Sequence, residues 1–165
     1  MSGVQIFSAP VGLLELVSDG GALVRAALVG APRPERPDSV TRQAARELEE
    51  YFAGKRQEFT VALSPAGTPF QTAVWQALRR VPFGRVVTYG RLAEAIGHPT
   101  ASRAVANALG KNSLLLFQPC HRVVASSGLG GFTGGLDVKR FLLRREGVEI
   151  RENTPFPEKF IFTFS

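Results

Sequence analysis

The chain is short of several residue types, and each shortage closes off a class of function. It has one cysteine in 165 residues. No intramolecular disulfide can form, and a four-thiolate zinc site is excluded within one chain. The only histidines are His98 and His121, which leaves no basis for a compact His-rich metal site, so no metal is expected. Long apolar runs are missing too. None approaches the roughly 20 residues that span a bilayer, and the N-terminus lacks the basic-then-apolar pattern of a secretory leader. A reduced, cytoplasmic setting is the expectation that fits. Apolar residues make up 44% and charged residues 21%, near the globular average, so disorder is not expected. The length suits one or two small domains.

What is present is unevenly placed. Residues 1–64 carry 7 basic and 8 acidic side chains, whereas residues 65–150 carry 11 basic and 4 acidic, a net +7. The tail 151–165 has 2 of each. The whole excess of +6 therefore sits in one segment. Such a segment is either a polyanion-binding domain or a solvated basic face, and charge alone does not choose between them.

The first 64 residues read as a small α/β unit. Gln5–Ser8, Gly12–Val17 and Ala22–Val29 are short strands separated by Ala9-Pro10 and Asp19-Gly20-Gly21. Asp38 or Ser39 caps a helix running to about Phe52, ended by Gly54. Glu58–Leu63 is a further strand candidate, and Ser64-Pro65-Ala66-Gly67 is the natural domain boundary. The second unit, 65–150, reads as mainly helical. Thr68 caps a helix with Pro69 at its first position, and Phe70, Val74, Trp75, Leu78 and Val81 recur at helical spacing. Val86–Thr88 is a short strand, Tyr89–Ile96 a helix ended by Gly97, and Thr100 is expected to cap a second helix through Leu109. Two short helices across a tight turn form a helix-turn-helix pattern, which also occurs in proteins that never touch nucleic acid. In the second helix Ala104, Val105, Ala108 and Leu109 are expected to face inward. The outer face offers few long polar groups beyond Arg103 and Asn107, which suits close minor-groove approach better than base reading in the major groove. An ordinary Ala-rich core helix has the same composition. The tail, with Phe156, Phe160, Phe162 and Phe164, fits either a packed strand or an exposed partner-binding end.

The densest chemistry lies in Gln118-Pro119-Cys120-His121-Arg122-Val123-Val124. A thiolate is a competent nucleophile, and an imidazole with nearby positive charge (Arg122, and Lys111 upstream) favours it. Adjacent side chains of an extended segment point to opposite sides, so His121 reaches Cys120 only through a water or a turn. A carboxylate should orient the imidazole, and Glu146, after the apolar Phe141–Leu143 stretch, is the candidate. For a Cys beside a His in an arbitrary protein, a buried thiol and a surface imidazole are the commoner arrangement.

The string Pro119-Cys120-His121-Arg122-Val123-Val124 resembles the active-site signature of the O6-alkylguanine-DNA alkyltransferases, the methylated-DNA–protein-cysteine methyltransferases. Thr88-Tyr89-Gly90-Arg91-Leu92-Ala93, Ser102-Arg103-Ala104-Val105-Ala106, Lys111-Asn112, Gly134-Gly135-Leu136 and Leu142 to Gly147 fit the same family in the same order. The resemblance implies an α/β, RNase H-like N-terminal domain and a mainly helical, winged-helix-like C-terminal domain with a helix-turn-helix. It implies a single-turnover methyltransferase that needs no cofactor and acts as a monomer on double-stranded DNA, from the minor groove and without a membrane. An alkyl group on O6 of guanine, with O4-alkylthymine as a weaker substrate, would pass irreversibly to Cys120.

Residue by residue, Cys120 matches the acceptor, His121 the base acting through a water, Glu146 the carboxylate behind it and Asn112 the brace. Arg103 matches the finger that replaces the flipped base. Tyr89 matches the residue crowding the 3′ phosphate, and Ser102 and Ala104 belong to the DNA-contacting helix face. Val123, Phe132, Thr133 and Gly134 match the substrate pocket, with the carbonyls of Cys120 and Val123 facing the guanine amino group. A rotated-out base also explains the bare helix, because damage is then read in the pocket. The loop 128–135 is one residue shorter than in longer relatives, and Phe132 replaces a tyrosine able to donate to O6. That leaves Thr133 or its backbone N–H as the donor on this loop. Two other classes compete: a non-catalytic lesion binder, which would lack the cysteine, and a thiol hydrolase, which would turn over without needing Arg103 or a basic domain.

Overall fold

Alternating side chains and two tight turns in the first thirty residues dictate a meander, and the computed structural model, which describes residues 2–165, contains one. Strands β1 (Ser2–Ala9), β2 (Gly12–Asp19) and β3 (Ala22–Val29) form an antiparallel sheet in that order, with Val4 opposite Val17 and Leu14 opposite Leu28. Helix α1 (Ser39–Phe52) buries Ala44, Leu48 and Tyr51. Asp38 caps it reciprocally with Thr41, each backbone N–H bonding the other side chain at 2.9 Å. Ser113–Phe117 belongs to this first unit as well, along with the chain up to Ala66. Its Ser113 and Leu115 bracket Ala26 of β3 through two backbone hydrogen bonds of 2.8 and 2.9 Å.

Glu58–Leu63 is not a strand; only Leu63 forms an isolated bridge, to Leu23. The donors a ladder would use are taken by one side chain instead. The buried Glu47 carboxylate accepts from the N–H groups of Thr60 (2.9 Å) and Val61 (3.2 Å) and from the Thr60 hydroxyl (2.7 Å).

The second unit spans residues 67–112 and 118–165. Helix α2 (Pro69–Leu78) starts at a capping box between Thr68 and Gln71, and the Trp75 indole N–H bonds Ala108 O at 3.0 Å. Strand β4 (Val87–Thr88) runs into α3 (Tyr89–Ala95), capped by the Thr88 hydroxyl on Arg91 N–H at 3.2 Å. Helix α4 (Ser102–Gly110) follows, and α3 and α4 pack against each other and against α2. Thr100 does not cap α4. It is used in a turn closed by Ala101 N–H on His98 O at 2.9 Å, so Ala101 takes the cap position without a side-chain bond. The inward stripe of α4 is Val105, Ala108 and Leu109, whereas Ala104 is exposed at its edge.

After a 3-10 turn at Cys120–Arg122, strand β5 (Val123–Val124) pairs with β4 in parallel, and α5 (Leu136–Arg145) follows. The tail is packed. Val86 donates to Phe160 O and accepts from Phe162 N–H, both at 2.8 Å, and Phe156 is buried with Val86, Val124, Leu129, Leu143 and Val148.

Candidate active site

The site is built on a bend that proline makes easy. Pro119 sits at φ −79°, ψ 67°, an inverse γ-turn whose Cys120 N–H reaches Gln118 O at 2.8 Å. The 3-10 turn follows immediately, closed by Arg122 N–H on Pro119 O at 2.9 Å. The segment is therefore not extended, and neighbouring side chains are free to serve different partners. Cys120 is turned toward Asn112, whose Nδ2 donates to Sγ at 3.2 Å and to Gln118 O at 2.8 Å. Gln118 Nε2 returns a bond to Asn112 Oδ1 at 2.8 Å, which fixes the amide's orientation.

His121 is turned inward, toward α5. Its Nε2 lies 2.7 Å from Glu146 Oε2, at the residue ending that helix. Arg122 clasps the same carboxylate through Nε (2.8 Å) and Nη2 (3.0 Å) and donates through Nη1 to Val81 O at 2.8 Å. All three are buried. Burial alone would raise the Glu146 carboxyl, but the charge and hydrogen bonds of His121 and Arg122 outweigh it and hold the group far below the carboxylate range. Burial dominates at His121 and holds the imidazole below its ordinary value despite the carboxylate. A neutral imidazole facing a carboxylate must place its proton on Nε2. Nδ1 is then a free base, and it is buried with no hydrogen-bond partner among the described residues.

Burial also pushes the Cys120 thiol up, to about 11, against the Asn112 donor and the charge of Lys139, which pull it down. The thiol therefore rests protonated, and a base must take its proton as it reacts. The positive charge acting on it is that of Lys139, not of Lys111, which is exposed, or Arg122, which is committed to Glu146.

A cavity of about 190 Å³ opens over the thiol, lined by Tyr89, Ala106, Leu109, Gly110, Cys120, Gly131, Phe132 and Thr133. Of the residues singled out from sequence, Tyr89, Cys120, Phe132 and Thr133 meet there. Gly134 does not line it but supports Phe132, whose ring lies 2.8 Å from where a Cβ on Gly134 would be. Val123 does not line it either: it is buried in β5, and its carbonyl, expected to face the guanine amino group, accepts from Lys139 Nζ at 2.7 Å. Ser102, Arg103 and Ala104 lie on the exposed side of α4. Gly130 is needed where it stands: its φ is +74°, and a Cβ would come within 3.1 Å of the Tyr89 hydroxyl.

Two family descriptions match the chain. The 6-O-methylguanine DNA methyltransferase DNA-binding domain covers residues 69–148, and the ribonuclease-like domain of the same proteins covers residues 5–65. The chain belongs to the 6-O-methylguanine DNA methyltransferase family. A methylated-DNA–protein-cysteine methyltransferase of Methanosarcina acetivorans is 44% identical over 150 residues, which is 86% of this chain and 96% of the relative. Among solved structures, Mycobacterium tuberculosis O6-methylguanine methyltransferase superposes with a TM-score of 0.80 at 37% identity, over 88% of this chain and 93% of that one. The M. tuberculosis protein in complex with DNA gives 0.80 at 38% identity, over 87% and 92%. The family's two domains are thus the α/β unit and the helix-turn-helix unit described above.

Lys139 and Gln118 were not legible as site residues. Lys139 left one trace: it stands with Leu142, Leu143 and Glu146 at i, i+3, i+4 and i+7, a lysine inside the buried stripe of α5.

Proposed function

We propose that this chain reverses O6-alkylguanine damage in DNA directly, with Cys120 as the acceptor, in a single irreversible event per molecule. The observation that carries this reading is the ordered set behind the thiol: Asn112 on Sγ, and a neutral His121 whose Nε2–H is spent on Glu146 so that Nδ1 is left as base.

The reaction is a displacement at carbon. The Cys120 S–H proton passes through a water to Nδ1 of His121, and Glu146 stabilises the imidazolium that results. Sγ attacks the alkyl carbon, an S–C bond forms, and the C–O6 bond breaks with its electron pair going to guanine. Guanine leaves with a proton gained at O6 or on the ring. Thr133 or its backbone N–H serves as the donor on the loop, since Phe132 offers only a ring face. The product is a thioether, a poor leaving group, so no step restores the thiol. O4-alkylthymine is a weaker substrate by the same displacement.

In this reading α4 lies in the minor groove with Ser102 and Ala104 close to the backbone, Arg103 fills the space of the flipped base, and Tyr89 crowds the phosphate. Gly134 belongs to the base pocket through its support of Phe132, and Val123 through its place next to the acceptor turn. Residues 65–150 form the acceptor domain, apart from Ser113–Phe117, which belongs with the first unit; residues 1–64 are a separate α/β domain and 151–165 a tail. The protein works as a cytoplasmic monomer, with no cofactor or metal. The test is DNA carrying labelled O6-methylguanine, followed by peptide mapping. Label should appear on the Cys120 peptide and be lost in Cys120→Ala; label on another residue, or none on the wild type, rejects the reading.

A further inference from the structure

Gln118 stands where the sequence runs apolar, directly after Leu114-Leu115-Leu116-Phe117, and it is 0% exposed. Glutamine is seldom buried to that degree, so its polar atoms call for an account. Its backbone oxygen accepts twice, from Cys120 N–H and from Asn112 Nδ2, both at 2.8 Å, which uses both lone pairs. Its Nε2 donates to Asn112 Oδ1 at 2.8 Å. Its Oε1 is buried and meets no hydrogen-bond partner among the described residues. An unpaired buried acceptor costs stability, and a leucine in this place would avoid that cost. What the glutamine side chain gives in return is its bond to Asn112.

One residue thus holds both ends of the Asn112 amide. Of the two Nδ2 hydrogens, one goes to Gln118 O and the other to Cys120 Sγ at 3.2 Å, while Oδ1 takes Gln118 Nε2. A planar amide held at one end pivots about that bond; held at both ends, its remaining N–H keeps its aim. We infer that Gln118 is a positioning residue of the transfer reaction: its side-chain amide locks the plane of Asn112, so that one Nδ2–H stays on Cys120 Sγ while the thiolate forms. The inference rests on Cys120 being the acceptor. Among the influences that pull the buried thiol down, the Asn112 donor comes ahead of the charge of Lys139, so its aim bears directly on thiolate formation. A hydrogen bond to sulfur strengthens as negative charge builds there, so a misaimed N–H costs more in the transition state than at rest. Gln118 does not line the cavity, so its side chain acts on the thiol through Asn112 and not by touching a substrate. Being neutral, it does so without adding charge beside the sulfur.

The test is Gln118→Leu in the full-length protein, with Gln118→Met as a second apolar replacement and circular dichroism to establish folding. Cys120 alkylation by iodoacetamide is followed from about pH 7 to about pH 9, on the rising limb of its pH profile. Gln118→Leu should shift that limb up by about half a unit or more, which is about threefold slower alkylation at any one pH. Single-turnover transfer from methylated duplex DNA should slow by at least the same factor, with the DNA concentration at half-maximal rate within about twofold of wild type. Asn112→Ala removes the donor itself, so adding Gln118→Leu to Asn112→Ala should slow alkylation no further. An unmoved limb in the folded variants overturns the inference. So does an additive loss in the double variant, since Gln118 would then act by another route. Failure of both Gln118 variants to fold overturns it as well, and makes Gln118 a structural pin alone. Wild-type protein exposed to DNA carrying labelled O6-methylguanine separates the two readings. Label missing from Cys120 removes the acceptor assignment, whereas label on Cys120 with an unmoved limb removes only the role of Gln118.

Discussion

At the residue scale, the site solves a conflict between burial and reactivity. A thiol held near 11 is almost fully protonated at neutral pH, which keeps it inert toward stray oxidants but useless without a base. The base is available only because Glu146 fixes the tautomer of His121. Glu146→Gln keeps the shape and can itself donate to Nε2, which would place the imidazole proton on Nδ1. Its single-turnover methyl-transfer rate should fall on the order of 10²-fold or more, with DNA affinity little changed. An unchanged rate would contradict the tautomer argument.

The same residues govern acid stability. His121 is held below its ordinary 6.5 and Glu146 below its ordinary 4.5, so in both cases the unfolded chain binds protons that the folded one refuses. Their contribution is intact above 6.5 and erodes as pH falls, first through histidine and then more steeply below 4.5. Urea midpoints should therefore drop between pH 7.5 and 5 and again toward 4; a flat profile would mean that the triad does not stabilise the fold.

At the scale of elements, the parts legible in the sequence were those governed by local chemistry. The three strands follow from alternation between turn residues, and α1 and α2 from Asp38 and from Thr68-Pro69. What sequence hid was decided by distant partners. Glu58–Leu63 has strand composition, yet Glu47 supplies its hydrogen bonds from another element. Thr100 has the chemistry of a cap but falls in the turn before the helix. Lys139 looks like a surface lysine until three carbonyls from a loop and a strand surround it. Cys120, His121, Asn112 and Glu146 were legible as a pattern, while the 3-10 turn that gives the first two different partners was legible only as an alternative to a bridging water.

Two elements carry tests of their own. Phe156 anchors the tail in the apolar cluster beside β4 and β5, so Phe156→Ala should cost about 3 kcal/mol in chemical denaturation. A change below 1 kcal/mol would make the tail an appendage. Arg103 stands exposed on α4, away from the cavity lining. Arg103→Ala should slow repair in duplex DNA at least tenfold more than it slows reaction with free O6-benzylguanine, which needs no base flipping. Equal losses would remove the finger role.

At the scale of the whole molecule, charge and chemistry coincide. The unit of residues 67–112 and 118–165 holds 13 basic and 6 acidic side chains, and it contains the thiol, its base and the helix-turn-helix. The other unit is slightly acidic and contains none of these. One cysteine in 165 residues then sets the capacity of the protein at a single event. The most direct measurement is a titration of purified protein with excess duplex DNA carrying labelled O6-methylguanine, counting label on protein against protein. The account predicts a plateau at about one methyl group per chain that does not rise with time or with more DNA. Continued turnover, with repaired guanine exceeding protein, would contradict it.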